Sequence, residues 1–191
     1  MSDLCNNLVL IGFMGSGKSA LGKWISQNVN MEFYDTDEYI VSKENREITE
    51  IFATDGEKYF RDLETEAIKE MKDRFSGAVI SVGGGLPLRE ENRELLNLLG
   101  TVIYLRTTED TLAKRLENDT KRPLLAGNDI KIRIHDLLMQ RVRIYENIAQ
   151  IIVDTDDRTY DQIYNEIEDI ILAKRNTQGG KKDEIISDKW T

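Results

Sequence analysis

A glycine-rich segment at residues 12–19 has the composition of a phosphate site. It reads GFMGSGKS and matches G-x-x-x-x-G-K-[ST], a pattern that cradles the phosphates of a nucleoside triphosphate when it joins a strand to a helix. The glycines let successive backbone N–H groups converge on an anion, and the helix N-terminus adds partial positive charge. Lys18 can then reach the β- and γ-phosphates, and the Ser19 hydroxyl can ligate Mg²⁺. The alternative is a glycine-rich turn without a ligand.

Two carboxylates, Asp35 and Asp37, stand in a YDTD turn at the end of a predicted strand. Ligands of parallel sheets bind at the carboxyl ends of the strands, so both side chains are expected at the site. With one residue between them in an extended chain, the two side chains are expected to diverge, so that one carboxylate serves the metal and the other a substrate hydroxyl. An aspartate-rich helix cap is the alternative.

Glycines and arginines could form the second half of a site. The segment SVGGG at residues 81–85 follows a predicted strand, and its glycines admit a backbone turn that a ligand can approach closely. Arg61, Arg122 and Arg141 could supply positive charge, although a single arginine is usually a solvated surface residue. A flexible turn is the alternative for the glycines.

Short apolar runs and longer charged segments predict the elements that position these residues. The runs are rich in Val and Ile and are typical of strands buried on both faces, at residues 8–13, 78–82, 101–105 and 150–154, with a weaker one at 32–37. Helical spacing predicts helices at 57–75, 90–99, 108–118, 129–149 and 159–175. Alternating strands and helices indicate an α/β fold with a parallel sheet.

Composition excludes several classes of protein. The 191 residues carry 26 Lys and Arg against 35 Asp and Glu, a net charge of −9 that repels nucleic acid and anionic membrane surfaces. The single cysteine, Cys5, excludes an intrachain disulfide and a cysteine-ligated zinc site, and we expect it to be a free thiol. The single histidine, His135, is expected on a helix surface, which argues against Ser-His-Asp chemistry.

The chain is predicted to be one soluble, cytoplasmic domain over residues 1–175. The N-terminus lacks the features of a signal peptide, and no apolar stretch approaches the roughly 18 residues of a membrane helix. Residues 118–129 contain Pro123 and Gly127 and predict a loop. From residue 176 the composition shifts to Gly, Lys and Asp, which predicts a flexible C-terminal tail over 176–191.

Taken together, the motifs resemble those of the shikimate kinase family over about residues 8–172. The resemblance rests on six segments in the family's order, namely GFMGSGKS, the DTD turn, GE..FR..E at 56–64, GGG at 83–85, RPLL at 122–125 and R...Y at 141–145. It implies a three-layer P-loop fold with a five-stranded parallel sheet in the order 2-3-1-4-5, helices on both faces and a mobile lid at about 116–127. It also implies ATP-dependent phosphorylation of shikimate with Mg²⁺ by a monomer.

The resemblance also implies a role for each matching residue. Nucleotide contacts are implied for Gly15, Ser16, Gly17, Lys18, Ser19, Ala20, Arg115, Arg122 and Arg158, with Arg122 on the lid and Arg158 matching less closely. Metal contacts are implied for Ser19 and Asp35, and acceptor contacts for Asp37, Arg61, Gly83, Gly84, Gly85 and Arg141. Catalytic roles are implied for Lys18, Asp37 and Arg122.

Two positions depart from the family pattern. Ala20 stands where the family usually has Thr, beyond the phosphate ligands, and Arg143 stands where it often has Pro. Either Arg141 or Arg143 could therefore face the acceptor, and the spacing to Tyr145 favours Arg141. Two other functions remain open at this level, another small-molecule P-loop kinase such as a gluconate kinase and a non-catalytic nucleotide-binding module.

Overall fold

A computed structural model describes residues 7–117 and 130–187, with side chains described up to residue 177. Cys5, Arg122 and all but the first two residues of the predicted lid lie outside the described residues. The chain divides by its internal contacts into two compact units, Met1–Asp156 and Asp157–Thr191. The predicted extent of a single domain over 1–175 stays a prediction.

The first unit is built on a five-stranded sheet. Its strands are β1 (Asn7–Ile11), β2 (Glu32–Asp35), β3 (Ala78–Ser81), β4 (Gly100–Arg106) and β5 (Ile151–Asp154). Every neighbouring pair is parallel, and the strand order is β2-β3-β1-β4-β5. The order implied by the family resemblance is therefore confirmed.

The central strand β1 is buried over its whole length, as its continuous apolar run predicts. Val9 and Ile11 pack into the main core cluster, which also contains Ile80 and Val102 of the neighbouring strands. Leu8 and Leu10, which alternate with them, are buried on the opposite face. Helix α1 (Lys18–Val29) packs along β1, β2 and β3. Because both faces of the sheet are covered, polar ligands can reach the strands only at their ends.

Four helices that the sequence predicts and one further turn lie between β2 and β5. They are α4 (Gly56–Arg74), a 3₁₀ turn (Leu86–Leu88), α5 (Glu90–Leu99), α6 (Glu109–Leu116) and α7 (Ile130–Ile148). The bounds of the four helices agree with the predicted helices to within two residues, because each helix carries apolar side chains at helical spacing. The apolar faces of α4, α5, α6 and α7 contribute to the main core cluster.

Two helices, α2 (Thr36–Glu44) and α3 (Ile48–Thr54), have no counterpart among the predicted elements. Each is short, and few of its residues are buried, so its apolar pattern is weak. Together with α4 they enclose a second core cluster around Ile40, Ile51 and Phe60. The predicted strand over 32–37 is also two residues too long, because the chain turns into α2 directly after Asp35.

The second unit contains α8 (Tyr160–Ser187). The sequence predicts that this helix ends at Arg175, because the composition shifts to Gly, Lys and Asp from residue 176. The backbone instead remains helical, and the Thr177 hydroxyl donates to the carbonyl oxygens of Ala173 and Lys174. The predicted helix end is therefore wrong, whereas the flexibility of the tail is untested. Among the described helices, none is both long enough and apolar enough to span a membrane.

Candidate active site

The loop between β1 and α1 has the backbone of an anion cradle. Gly15 and Gly17 have φ angles of 79° and 96°, a left-handed conformation that side chains other than glycine rarely adopt. Gly17 is the N-cap of α1, so the loop leads directly into the helix N-terminus. The predicted order of strand, loop and helix is thus present, and it is the arrangement in which loop backbone and a helix N-terminus bind an anion.

Lys18 and Ser16 supply the polar side chains of this loop. Lys18 is buried, and its ammonium group donates to the carbonyl oxygens of Gly12 and Phe13 over 2.9 and 3.0 Å. The buried Ser16 hydroxyl has no hydrogen-bond partner among the described residues. A buried polar group without a partner is costly, and a phosphate oxygen in the loop would satisfy it. These groups therefore fit a triphosphate.

Ser19 and Asp35 meet where α1 and β2 approach each other. The Ser19 hydroxyl donates to Oδ2 of Asp35 over 2.6 Å and lies 3.3 Å from the Ser81 hydroxyl. Oδ1 of Asp35 accepts from the backbone N–H of Asp37 and caps α2. The carboxylate is thus both a helix cap and a member of the site. Its oxygen and the serine oxygen are the hard ligands that Mg²⁺ prefers.

Asp37 lies on the first turn of α2 rather than in an extended chain. The expectation that it diverges from Asp35 along a strand is therefore wrong, because the chain turns into the helix between them. Asp37 still lines the same cleft as Lys18 and Ser19. A Cβ atom added to Gly83 would lie 2.9 Å from Oδ1 of Asp37, so the glycine turn and this carboxylate are in close contact.

Arg61 lies on α4 with its guanidinium against the same turn, at Gly85. It donates to Oε1 of Glu57 over 2.9 Å and to Oε2 of Glu64 over 2.7 Å. The side chain of Glu57 is exposed, so its pair with Arg61 is a surface contact. The side chain of Glu64 is only 1% exposed, so its pair with Arg61 is largely removed from water.

Glu64 is a site residue that the sequence prediction did not include. Its burial raises the pKa of the carboxyl to about 7, against the lowering effect of Arg61 and with a smaller raising effect of Asp37. A Cβ atom on Gly83 would lie 2.8 Å from its Oε1. The one sequence signal for Glu64 is that it is the final residue of the segment GE..FR..E. Helical spacing alone does not show that a glutamate is buried beside a glycine turn.

Arg141 is the second arginine of this region. It is 5% exposed on α7, and its guanidinium lies 5.6 Å from the centroid of the Phe13 ring. Its buried Nε has no hydrogen-bond partner among the described residues. Arg143 is exposed. The structure therefore turns Arg141 inward, at the end of β1 where the phosphate loop begins.

A buried hydrogen-bond network supports the turn at residues 83–85 from behind. The Asn92 amide donates to the carbonyl oxygen of Leu86, and its Oδ1 lies 2.9 Å from the Thr65 hydroxyl. The backbone N–H of Gly83 donates to the Thr36 hydroxyl. Thr36, Thr65 and Asn92 were not among the predicted site residues, although Thr36 is the middle residue of the DTD turn.

The phosphate loop, the two aspartates and the turn enclose a cleft of about 210 Å³. Predicted site residues that line it are Gly15, Gly17, Lys18, Ser19, Ala20, Asp35, Asp37, Gly83 and Gly84. Gly85, Arg61 and Arg141 lie beside this lining through the contacts described above.

The remaining predicted arginines are placed differently. Nη1 of Arg115 donates to the carbonyl oxygen of Gly15 over 3.1 Å, which puts Arg115 on the phosphate loop. Arg158 belongs to the second unit, where it pairs with Glu166 and donates to the carbonyl oxygen of Gln162. Arg122 lies outside the described residues. The nucleotide contacts of Arg122 and Arg158 stay predictions.

Known proteins resemble this chain in both sequence and structure. The family model described as shikimate kinase matches residues 14–172. A shikimate kinase from Dictyoglomus turgidum is 43% identical over 165 residues, which cover 85% of this chain and 95% of that protein. The structure of a shikimate kinase from Acinetobacter baumannii in complex with shikimate superposes with a TM-score of 0.84 and 32% identity, covering 88% of this chain and 94% of the other.

A gluconokinase from Sinorhizobium meliloti shares the fold alone. It superposes with a TM-score of 0.51 at 16% identity over 86% of this chain and 90% of its own. Membership of a family is shown by the long sequence matches. On these matches and on the geometry of its cleft, the chain belongs to the shikimate kinase family.

Proposed function

We propose that this protein transfers the γ-phosphoryl group of ATP to the 3-hydroxyl of shikimate, giving shikimate 3-phosphate and ADP. One observation carries the proposal, the meeting of the phosphate loop with Asp37 and the glycine turn in a single cleft. Sequence identity to shikimate kinases over most of the chain supports the choice of acceptor. The reaction belongs to chorismate and aromatic amino acid biosynthesis, and we place the protein in the cytoplasm as a monomer.

The nucleotide half of the reaction rests on the loop and α1. Gly15 and Gly17 present their backbone N–H groups. The N–H of Ser16 already donates to the carbonyl oxygen of Phe13, so Ser16 contributes its hydroxyl instead. Lys18 exchanges its contacts with Gly12 and Phe13 for phosphate oxygens and stabilises the charge of the transferred group. Arg115, which already lies on the loop, contributes on the nucleotide side.

Ser19 and Asp35 fit a magnesium ion. The Ser19 hydroxyl oxygen and Oδ2 of Asp35 are 2.6 Å apart, so one cation could contact both oxygens, directly or through water. When bound, the ion neutralises charge on the β- and γ-phosphates. Ser19 and Asp35 would hold such an ion through their side-chain oxygens, while the other oxygen of Asp35 caps α2.

The acceptor half is built from opposite charges on two sides of the glycine turn. Shikimate carries one carboxylate and several hydroxyls, so it requires cations at one end and hydrogen-bond acceptors at the other. Arg61 and Arg141 bind the carboxylate, since a guanidinium can bind it in a bidentate manner. Asp37 accepts the proton of the attacking hydroxyl. The hydroxyl oxygen forms a bond to the γ-phosphorus while the bond between that phosphorus and the ADP oxygen breaks.

An ADP-release assay tests this function with three reactions, containing shikimate, gluconate and no acceptor. We expect release with shikimate alone. Release with gluconate but not with shikimate would overturn the proposed acceptor. Nucleotide binding without release in any of the three reactions would instead indicate a non-catalytic nucleotide-binding module.

A further inference from the structure

The hydroxyl of Tyr145 joins α7 to the glycine turn. It donates to the carbonyl oxygen of Gly84 over 2.5 Å, across 61 positions of sequence. Tyr145 is fully buried, and its ring packs against Tyr104 of β4 with centroids 5.2 Å apart. A buried phenol usually finds one polar partner, and here that partner is the backbone of the turn.

Arg141 lies one helical turn earlier on α7, so its side chain and that of Tyr145 share one face of the helix, and both are buried. Burial raises the pKa of Tyr145 to about 12, while the nearby charge of Arg141 acts in the opposite direction. The phenol therefore stays protonated and can donate to Gly84.

Gly84 in turn lies against the phosphate loop. A Cβ atom added there would lie 3.1 Å from the carbonyl oxygen of Gly12 and 3.4 Å from the backbone nitrogen of Met14. Phe13, between these two residues, carries Arg141 over its ring at 5.6 Å. Tyr145, Arg141, the turn and the loop therefore form one closed set of contacts.

We infer that Tyr145 is a positioning residue for the acceptor, whose hydrogen bond to Gly84 holds the glycine turn against α7, the helix that carries Arg141. The inference rests on the proposed function, in which the turn and Arg141 both contact shikimate. Tyr145 need not touch the acceptor. Without its hydroxyl, the turn loses its hydrogen bond to this helix, so shikimate is bound less well while the nucleotide half of the site is unchanged.

The test is steady-state kinetics of Tyr145→Phe, which keeps the ring and its packing. We expect the shikimate KM to rise about fivefold to tenfold, as for the loss of one buried hydrogen bond, with the ATP KM within about twofold of the parent. Tyr104→Phe is the matched control, because it removes the neighbouring buried phenol hydroxyl, and its kinetics should follow the parent. Each variant is assayed well below its own melting temperature.

A double-mutant cycle separates positioning from a general structural role. On an Arg141→Ala background, Tyr145→Phe should change the shikimate KM by a clearly smaller factor than in the parent, because one of the two acceptor contacts that it holds in register is gone. An unchanged shikimate KM in the single Tyr145→Phe variant, or an equal effect on both backgrounds, would overturn the inference. An unchanged KM in Arg141→Ala alone would instead remove Arg141 from the proposed acceptor site.

Discussion

Glu64 is buried against Arg61, and its Oε2 accepts from the guanidinium over 2.7 Å. A carboxylate in this position must balance two effects. Burial penalises its charged form, whereas the neighbouring arginine favours it, and the burial effect is the larger one. The balance matters for function, since Arg61 also packs against Gly85 of the acceptor turn.

The first prediction concerns the pH dependence of stability. The folded pKa of Glu64, about 7, lies above its ordinary value of 4.5. This carboxyl therefore contributes stability that is complete below pH 4.5 and is lost as the pH rises through about 7, on the order of 3 kcal/mol. Urea unfolding between pH 4.5 and 8 should show this decline in the parent and lack it in Glu64→Gln.

Glu57→Gln is the matched control for this experiment. Glu57 is the other partner of Arg61, but its side chain is 59% exposed. Its variant should keep the parent's pH profile. If the difference in unfolding free energy between the parent and Glu64→Gln is the same at every pH, the assigned pKa of Glu64 is wrong.

The second prediction separates acceptor binding from nucleotide binding at Arg61. Arg61→Ala should weaken the use of shikimate by about 30-fold or more, because it leaves the substrate carboxylate without its buried cation. The ATP affinity, measured by nucleotide titration, should change little. Shikimate KM and kcat that both stay within about twofold of the parent would contradict the role.

Arg61→Ala also leaves Glu64 buried without its ion pair, which could lower stability for a reason unrelated to the substrate. The double variant Arg61→Ala with Glu64→Gln removes this complication and should still use shikimate poorly. Arg46→Ala is the surface control, since Arg46 pairs with Glu44 and Asp55 away from the turn. Its kinetics should match those of the parent.

The third prediction concerns phosphoryl transfer at Lys18. Lys18→Ala should lower kcat by orders of magnitude, because it removes the charge that stabilises the transferred group. Circular dichroism should show a folded protein. Lys23→Ala provides the comparison on the same helix, because Lys23 forms an exposed pair with Glu38 and should be dispensable. A Lys18→Ala variant with the parent's kcat would show that the residue is misplaced.

The fourth prediction concerns magnesium. Asp35→Asn keeps an oxygen that can cap α2 but removes the charge next to Ser19. The Mg²⁺ concentration for half-maximal activity should rise about tenfold to 100-fold. Glu38→Gln, an exposed change on the helix that Asp35 caps, should leave the magnesium curve in place. Superimposable curves for Asp35→Asn and the parent would exclude this carboxylate from the metal site.

The sequence by itself determined the phosphate loop and the character of the sheet. In both cases the signal is local. A glycine loop followed by Lys18 and Ser19 indicates a phosphate site, and short runs of Val and Ile indicate strands buried on both faces. The strand order came from the family resemblance and is present in the structure. Helices α2 and α3 escaped prediction because short helices with few buried residues have weak periodicity.

Only the tertiary structure decided how the acceptor side is assembled. Glu64 looks like a solvated helical carboxylate in the sequence, yet it is buried because α4 lies against the turn at Gly83. Likewise, the Tyr145 hydroxyl reaches Gly84 only because α7 packs beside a turn 61 residues earlier. The charge state and hydrogen-bond partner of a side chain depend on which distant segments exclude water from it, and that information appears only when the chain is folded.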